Sequence, residues 1–179
     1  MKWYVLHVMT GAELEAQRQL KEAGIDAIVM QEVACIRRGG QWKEEVRIWM
    51  PGYVFLLMNY SPAKYYTIKA VSGYIGLLPK HGNPMPLPPK EVLWLLSLCS
   101  EVLVPSVVDF SGMLPVVLSG PLKDLEQYIV KYDRHRRRVL LDMSVLGTPK
   151  KIALSIIPAD ADLKTESKRG LIRPHASRR

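Results

Sequence analysis

The spacing of apolar residues changes character along this chain, and the changes mark its elements. Trp3-Tyr4-Val5-Leu6-His7-Val8 is a near-continuous run of β-formers and predicts a buried strand. Leu14, Ala16, Leu20 and Ala23 then recur at helical spacing. Thr10 and Glu13 read as a capping box at the start of that helix, and Gly24 stops it. The stretch 25–36 is β-like, Arg37-Arg38-Gly39-Gly40 is a turn, and 42–49 returns as the other arm of a hairpin. After the break at Met50-Pro51-Gly52, Tyr53-Val54-Phe55-Leu56-Leu57-Met58 suits the middle of a sheet. Pro62 opens a second helix over 63–71, and Gly73-Tyr74-Ile75-Gly76-Leu77-Leu78 is a further strand. A proline-rich loop over 81–89 precedes a third helix that runs from Lys90-Glu91 to about Leu98. The order β-α-β-β-β-α-β-α predicts an α+β domain over 1–99, with helices packed on a mainly antiparallel sheet.

Beyond that point the helical period disappears. A linker is expected over 100–108. Short apolar runs then recur at 114–118, 128–130, 139–145 and 152–157, separated by turn residues. Pro115 and Pro121 oppose a helical state for this region. The pattern predicts a small β-barrel over 109–158. Residues 159–179 read as a basic tail, expected to be unfolded in isolation.

Composition narrows the function. The chain has 179 residues, 48% of them hydrophobic, which supports one domain or two small ones with proper cores. Net charge is +8, with +3 over residues 1–100 and +5 over the shorter remainder. That excess favours a polyanionic partner. It peaks in Arg134-His135-Arg136-Arg137-Arg138, a turn between two strand-like runs. Planar guanidinium forks suit phosphates and base edges. Cys35 and Cys99 are the two cysteines, with no Cys-x-x-Cys or Cys/His cluster, so neither a zinc site nor a disulfide framework is expected. The chain opens directly on the first strand without a secretory leader, and its apolar runs, such as that around Val92, are too short for a membrane span. The expectation is a cytoplasmic protein with no membrane association. His7, His81, His135 and His175 have no nucleophile pattern around them, and no phosphate-binding loop occurs. Neither an enzyme nor a cofactor is expected.

The motifs taken in order carry a resemblance. Trp3-Tyr4-Val5, a helix start at Gly11, the Gly39-Gly40 turn, Pro51-Gly52-Tyr53-Val54-Phe55, Gly73-Tyr74-Ile75-Gly76, the proline loop before Lys90-Glu91-Val92, and Gly120-Pro121 in a β module follow one another as in the NusG family of transcription elongation factors. The resemblance covers residues 3 to about 157. It implies an N-terminal NGN domain that binds the clamp helices of RNA polymerase, a linker, and a C-terminal KOW barrel. The basic turn and tail make the chain more similar to the specialised members of the family, the RfaH-like and LoaP-like antiterminators, some of which recognise an RNA hairpin in a leader transcript. Asp124 and Gln127 stand where the KOW motif usually carries glycine.

The resemblance also implies site residues. Trp3, Tyr4, Met50, Tyr53 and Phe55 are expected at the apolar groove for the clamp helices. Tyr65, Tyr66 and Thr67, preceded by Lys64, are expected to meet the opposite side of the polymerase cleft. Arg18 and Gln19, with Lys21 nearby, fall on a helix face that approaches the non-template DNA strand in relatives. Lys123, Lys131, Arg134, His135, Arg136, Arg137, Arg138, Lys150 and Lys151 are expected to bind the RNA hairpin. Around the first hairpin, Arg37, Arg38, Lys43 and Arg47 are partly cancelled by Glu44 and Glu45, and they read as a solvated face. The expected function is a monomeric transcription antitermination factor with two ligands, polymerase and leader RNA. The alternatives are a general elongation factor whose KOW barrel binds a ribosomal protein or termination factor, and a ribosome-associated RNA-binding protein.

Overall fold

The computed structural model describes residues 1–79, 83–98 and 102–161. Strands β1 (Lys2–Val8), β2 (Asp26–Ile28), β5 (Tyr53–Met58) and β6 (Tyr74–Leu77) form one antiparallel sheet in the order β2-β5-β1-β6. The two most apolar strands, β1 and β5, are its centre, paired with Val5 opposite Phe55. Side chains alternate across this sheet. Tyr4, Leu6, Val8, Val54 and Leu56 face helices α1 (Glu13–Glu22) and α2 (Pro62–Lys69), where Ala16, Leu20 and Ile68 close the core. Val5 and Phe55 face the other way, with Trp3 and Tyr53 packed at the edge of that second core.

Strands β3 (Gln31–Arg38) and β4 (Gln41–Ile48) make the predicted hairpin, and the short β7 (Val102–Leu103) pairs parallel to β3. The C-terminal region is a five-stranded sheet, β10-β11-β12-β8-β9, built from β8 (Ser106–Asp109), β9 (Val116–Ser119), β10 (Ile129–Asp133), β11 (Arg138–Val145) and β12 (Thr148–Pro158). The α+β reading with a β-rich C-terminal module therefore holds. The stretch expected as a linker instead contributes β7 to one sheet and β8 to the other, and the chain crosses between them at Val104 and Pro105. Of the basic tail, residues 162–179 lie outside the described residues.

Helix α3 (Pro89–Ser97) and a 3-10 helix over Pro121–Tyr128 lie at the junction of the two halves. The 3-10 helix replaces the irregular turn that the sequence suggests. Asp124 and Gln127 fall inside it, and neither adopts the left-handed conformation that glycine would favour. Gly120 does adopt it, at φ 95°, just before this helix. A Cβ at Gly120 would lie 2.7 Å from Ser106 Cα. The Ser106 hydroxyl in turn accepts a hydrogen bond from the Leu122 N–H at 3.0 Å.

The sheet face bearing Val5 and Phe55 is not open to solvent. One continuous apolar core joins Met30, Trp49, Met50 and Phe55 of the N-terminal half, Trp94 and Leu95 of α3 with Leu98 at its C-terminal end, and Leu122, Leu125, Val139, Leu141 and Ile156 of the C-terminal module. Phe55 and Trp94 meet edge to face at 5.9 Å. The two halves form a closed arrangement, with the β module roofing the N-terminal sheet.

Candidate functional site

The residues expected at the polymerase groove divide by strand parity. Trp3, Tyr53 and Phe55 share one sheet face, and Met50 joins the same core. Tyr4 lies on the opposite face, 7% exposed, among Leu6 and the helices, with its ring tilted against Tyr60 at 5.9 Å. Parity on β1 sets it apart from the other four. Phe55 is fully buried and Met50 nearly so, both beneath the C-terminal module. Tyr53 is half-buried between two partners: the His7 ring at 5.6 Å and the Lys150 ammonium, 5.2 Å from its ring centroid. These last three residues also line a cleft of about 360 Å³ with Leu146 and Thr148.

On α2, Tyr66 is 68% exposed, whereas Tyr65 is half-buried and packs toward Tyr74 and the helical core. Burial pushes the Tyr74 phenol up, and its hydrogen bond to Tyr65 adds to the effect. The Thr67 hydroxyl donates to the Ala63 carbonyl at 3.2 Å. Tyr66 therefore presents the accessible aromatic surface of the three. On α1, Arg18 is held by Glu15 at 2.6 Å and by Glu22, and Glu15, bonded to Arg18 and Gln19, falls to a pKa of about 2. Gln19 ties this helix to the chain after α2, accepting the Ser72 N–H at 2.8 Å. Both side chains already have partners within the protein.

The expected capping box is not formed. Ala12 stands at the helix N-cap, and the Glu13 carboxylate accepts from the Gly11 N–H and the Gly52 N–H at 2.7 Å each. Glu13 is 1% exposed and pins the turn before β5 to the start of α1.

The C-terminal bases do not form one patch. Arg134 to Arg137 make the β10–β11 turn. Arg134 pairs with Asp160 and lies over the Phe110 ring. The Asp133 carboxylate accepts the Arg136 N–H at 2.9 Å and sits 3.8 Å from its guanidinium. Arg137, at φ 50°, lays its guanidinium 4.4 Å from the centroid of the Trp42 ring in the first hairpin, so this arginine packs against the N-terminal half. Lys131 is exposed on β10 beside the turn, and Lys123 is exposed on the 3-10 helix. Lys150 and Lys151 pair with Met143 and Asp142 on β11. At about 3.4 Å per residue they sit roughly 14–17 Å from Arg138 along that strand.

Sequence reasoning read the first hairpin as a solvated face, yet the structure brings its arginines to the basic turn. Arg37, Arg38 and Arg47 line an open cleft of about 510 Å³ together with His135, Arg136 and Arg138. It also missed Glu91, which is 4% exposed on α3. Its carboxylate accepts the Leu146 N–H at 2.6 Å, the Gly147 N–H at 3.0 Å and the Ser144 hydroxyl at 2.9 Å. Three more polar contacts cross the seam. The Trp49 indole donates to the Ala153 carbonyl at 3.0 Å, the Cys35 N–H donates to the Ser155 hydroxyl at 3.1 Å, and the Ser155 N–H donates to Glu32 at 3.2 Å. Acceptor and donors lie 53 or more positions apart in every one of these contacts, so no local motif announces them.

Residues 1–96 match the family model described as transcription termination factor NusG. Relatives named transcription termination/antitermination protein NusG include that of Rickettsia typhi, 25% identical over 171 residues and covering 86% of each chain. The Escherichia coli K12 protein is likewise 25% identical, over 167 residues that cover 86% of this chain and 92% of its own. A solved structure titled "Domain interaction in Thermotoga maritima NusG" overlays with a TM-score of 0.48 at 20% identity, covering 87% of this chain and 93% of that one. The family model spans more than half of the sequence and takes in the N-terminal sheet, α1, α2 and nearly all of α3: the chain belongs to the NusG family of transcription termination and antitermination factors.

Proposed function

We propose that this chain is a specialised transcription antitermination factor that docks on RNA polymerase through its N-terminal half and engages leader RNA through its C-terminal module. It acts in the cytoplasm as a monomer and performs no catalysis. NGN over 1–99 and KOW over 109–158 are the working halves. The docking surface is the apolar face of Trp3, Met50, Tyr53 and Phe55, which suits a helix pair laid into a groove with aromatic anchors. Tyr66 adds an exposed phenol on the other side of the molecule. The RNA surface is the guanidinium-rich β10–β11 turn with Lys131 alongside.

The observation that carries this reading is the roof. An apolar sheet face dense in aromatics is covered by a module that shares its core and is clasped to it by hydrogen bonds through Glu91, Trp49 and Ser155, and this is how a docking surface is kept out of solvent until its partner arrives. Polymerase docking then requires the C-terminal module to move off. RNA held by that module raises the local concentration of the docking half at the polymerase that made the transcript.

Transcription past a terminator in a purified system tests the proposal. The chain raises read-through on templates that encode the matching leader hairpin. Tyr53→Ala removes the effect on every template, and Arg134→Ala with Arg136→Ala removes only the preference for the hairpin. Equal read-through with and without the hairpin, unaffected by the arginine pair, overturns the specialised reading.

One observation favours a second reading, a general factor whose C-terminal module binds protein. Leu114, just before the edge strand β9, and Val116 and Leu118, which alternate along it, are 75%, 55% and 45% exposed. An apolar open edge of that kind suits a protein partner. Steep salt dependence of hairpin binding separates the two readings, since phosphate contacts release counterions and apolar contacts do not.

A further inference from the structure

We infer that the cleft between the two hairpins is a composite binding site for unpaired RNA, built only when the halves are closed. The inference rests on the RNA reading above and deepens it, because it assigns part of the RNA surface to the N-terminal half. Arg37, Arg38 and Arg47 come from β3 and β4, and His135, Arg136 and Arg138 come from the β10–β11 turn and β11. The two groups are about one hundred residues apart in sequence and face each other across about 510 Å³ of open space.

Chemistry selects the ligand. Five guanidiniums converge, and the carboxylates near them engage only part of their donors. Glu45 takes one bond at 3.2 Å from each of Arg38 and Arg47, and Asp133 lies 3.8 Å from Arg136. Arg37 spends its Nε on the Gly40 carbonyl at 3.3 Å. Each guanidinium has five donors in a fork that matches phosphate oxygens, so most remain for a ligand. Trp42 also lines the cleft, its ring held by Arg137. Facing cationic walls with an aromatic side chain in their lining suit a nucleic-acid strand whose phosphates and base faces are both exposed. A paired helix offers such walls no base face.

The site also has a direction of coupling. RNA in the cleft touches both halves and so favours the closed arrangement, whereas polymerase favours the open one. Each ligand must weaken the other by the same factor. RNA is captured on the closed factor, and docking then releases the hairpin arginines while the C-terminal bases keep their hold.

Titration of the full chain with a fluorescein-labelled oligouridylate of about eight nucleotides tests this. Arg37→Ala/Arg38→Ala removes exposed side chains only, and circular dichroism checks the fold. Affinity is expected to fall roughly tenfold and the slope of log affinity on log salt to drop by about 1.4, for two lost phosphate contacts. Hydrogen exchange at Ser155 and Leu146 is expected to slow when RNA is bound. If this pair titrates like the parent while Arg136→Ala/Arg138→Ala weakens binding, the composite site is overturned and the RNA role of the C-terminal module stands. If neither pair changes binding, both fall. Tighter binding of the matching oligodeoxythymidylate overturns the assignment to RNA.

Discussion

Single residues here carry duties that their sequence neighbours do not reveal. Gly120 belongs to the Gly-Pro pair that marks the β module in the sequence, and its role is conformational: φ 95° with Ser106 Cα 2.7 Å from any added Cβ. Gly120→Ala meets both a left-handed backbone and a backbone clash, and it is expected to destabilise the chain by about 2–4 kcal/mol in urea unfolding. Glu13 teaches the opposite lesson. Its spacing from Thr10 fits a capping box, yet its carboxylate binds the Gly52 N–H, 39 positions away. A buried carboxylate goes where unpaired donors are most desolvated, and that location is a property of the fold. For the same reason Tyr4 and Trp3, adjacent in sequence, face different cores.

At the scale of elements, strands with period-two alternation and helices bounded by glycine or proline were legible. The elements that escaped are those whose partners are remote. Strand β8 is four residues long and pairs parallel with β12, Ile156 opposite Ser106. With so little length and a partner some fifty residues on, it read as linker. The 3-10 helix over Pro121–Tyr128 owes its place to Leu122 and Leu125, both fully buried under α3. Leu125→Ala is expected to cost about 2–5 kcal/mol in the same unfolding assay, as a cavity at the centre of the shared core. Helix α3 adds a polar clasp through Glu91. Glu91→Ala leaves the Leu146 and Gly147 amides without their acceptor, and charge-assisted bonds of this kind contribute about 1.5–3 kcal/mol each. Hydrogen exchange at these two amides is the sensitive measure. It is expected to accelerate before global stability changes, because the β11–β12 turn can lift from α3 alone.

The whole molecule is governed by its seam, and the site on that seam was only half legible: each arginine group was visible, but their meeting depends on how the β module docks. Glu32 lies within the seam beside Ser155, and burial pushes its carboxyl up against the opposing pull of the Ser155 N–H, Arg138 and Arg47. A folded carboxyl that keeps its proton longer than the unfolded chain stabilises more as pH falls. From the ordinary glutamate range up to the raised value, stability therefore declines with rising pH, and above it the penalty is constant. Glu32→Gln keeps an acceptor for Ser155 and lacks the titrating carboxyl, so the difference between the parent and variant unfolding curves is expected to show this slope. The crossing between the halves sets the tempo of any rearrangement. Only Val104 and Pro105 separate β7 from β8, and each strand is stitched into a different sheet. Such a tether has no slack, so the roof cannot swing as a gate on a hinge. It must first peel β7, held by two paired positions, away from β3. On the proposed function, uncovering the docking face would be an unzipping, and the wait for that strand to detach would act as a built-in delay between meeting a polymerase and gripping it.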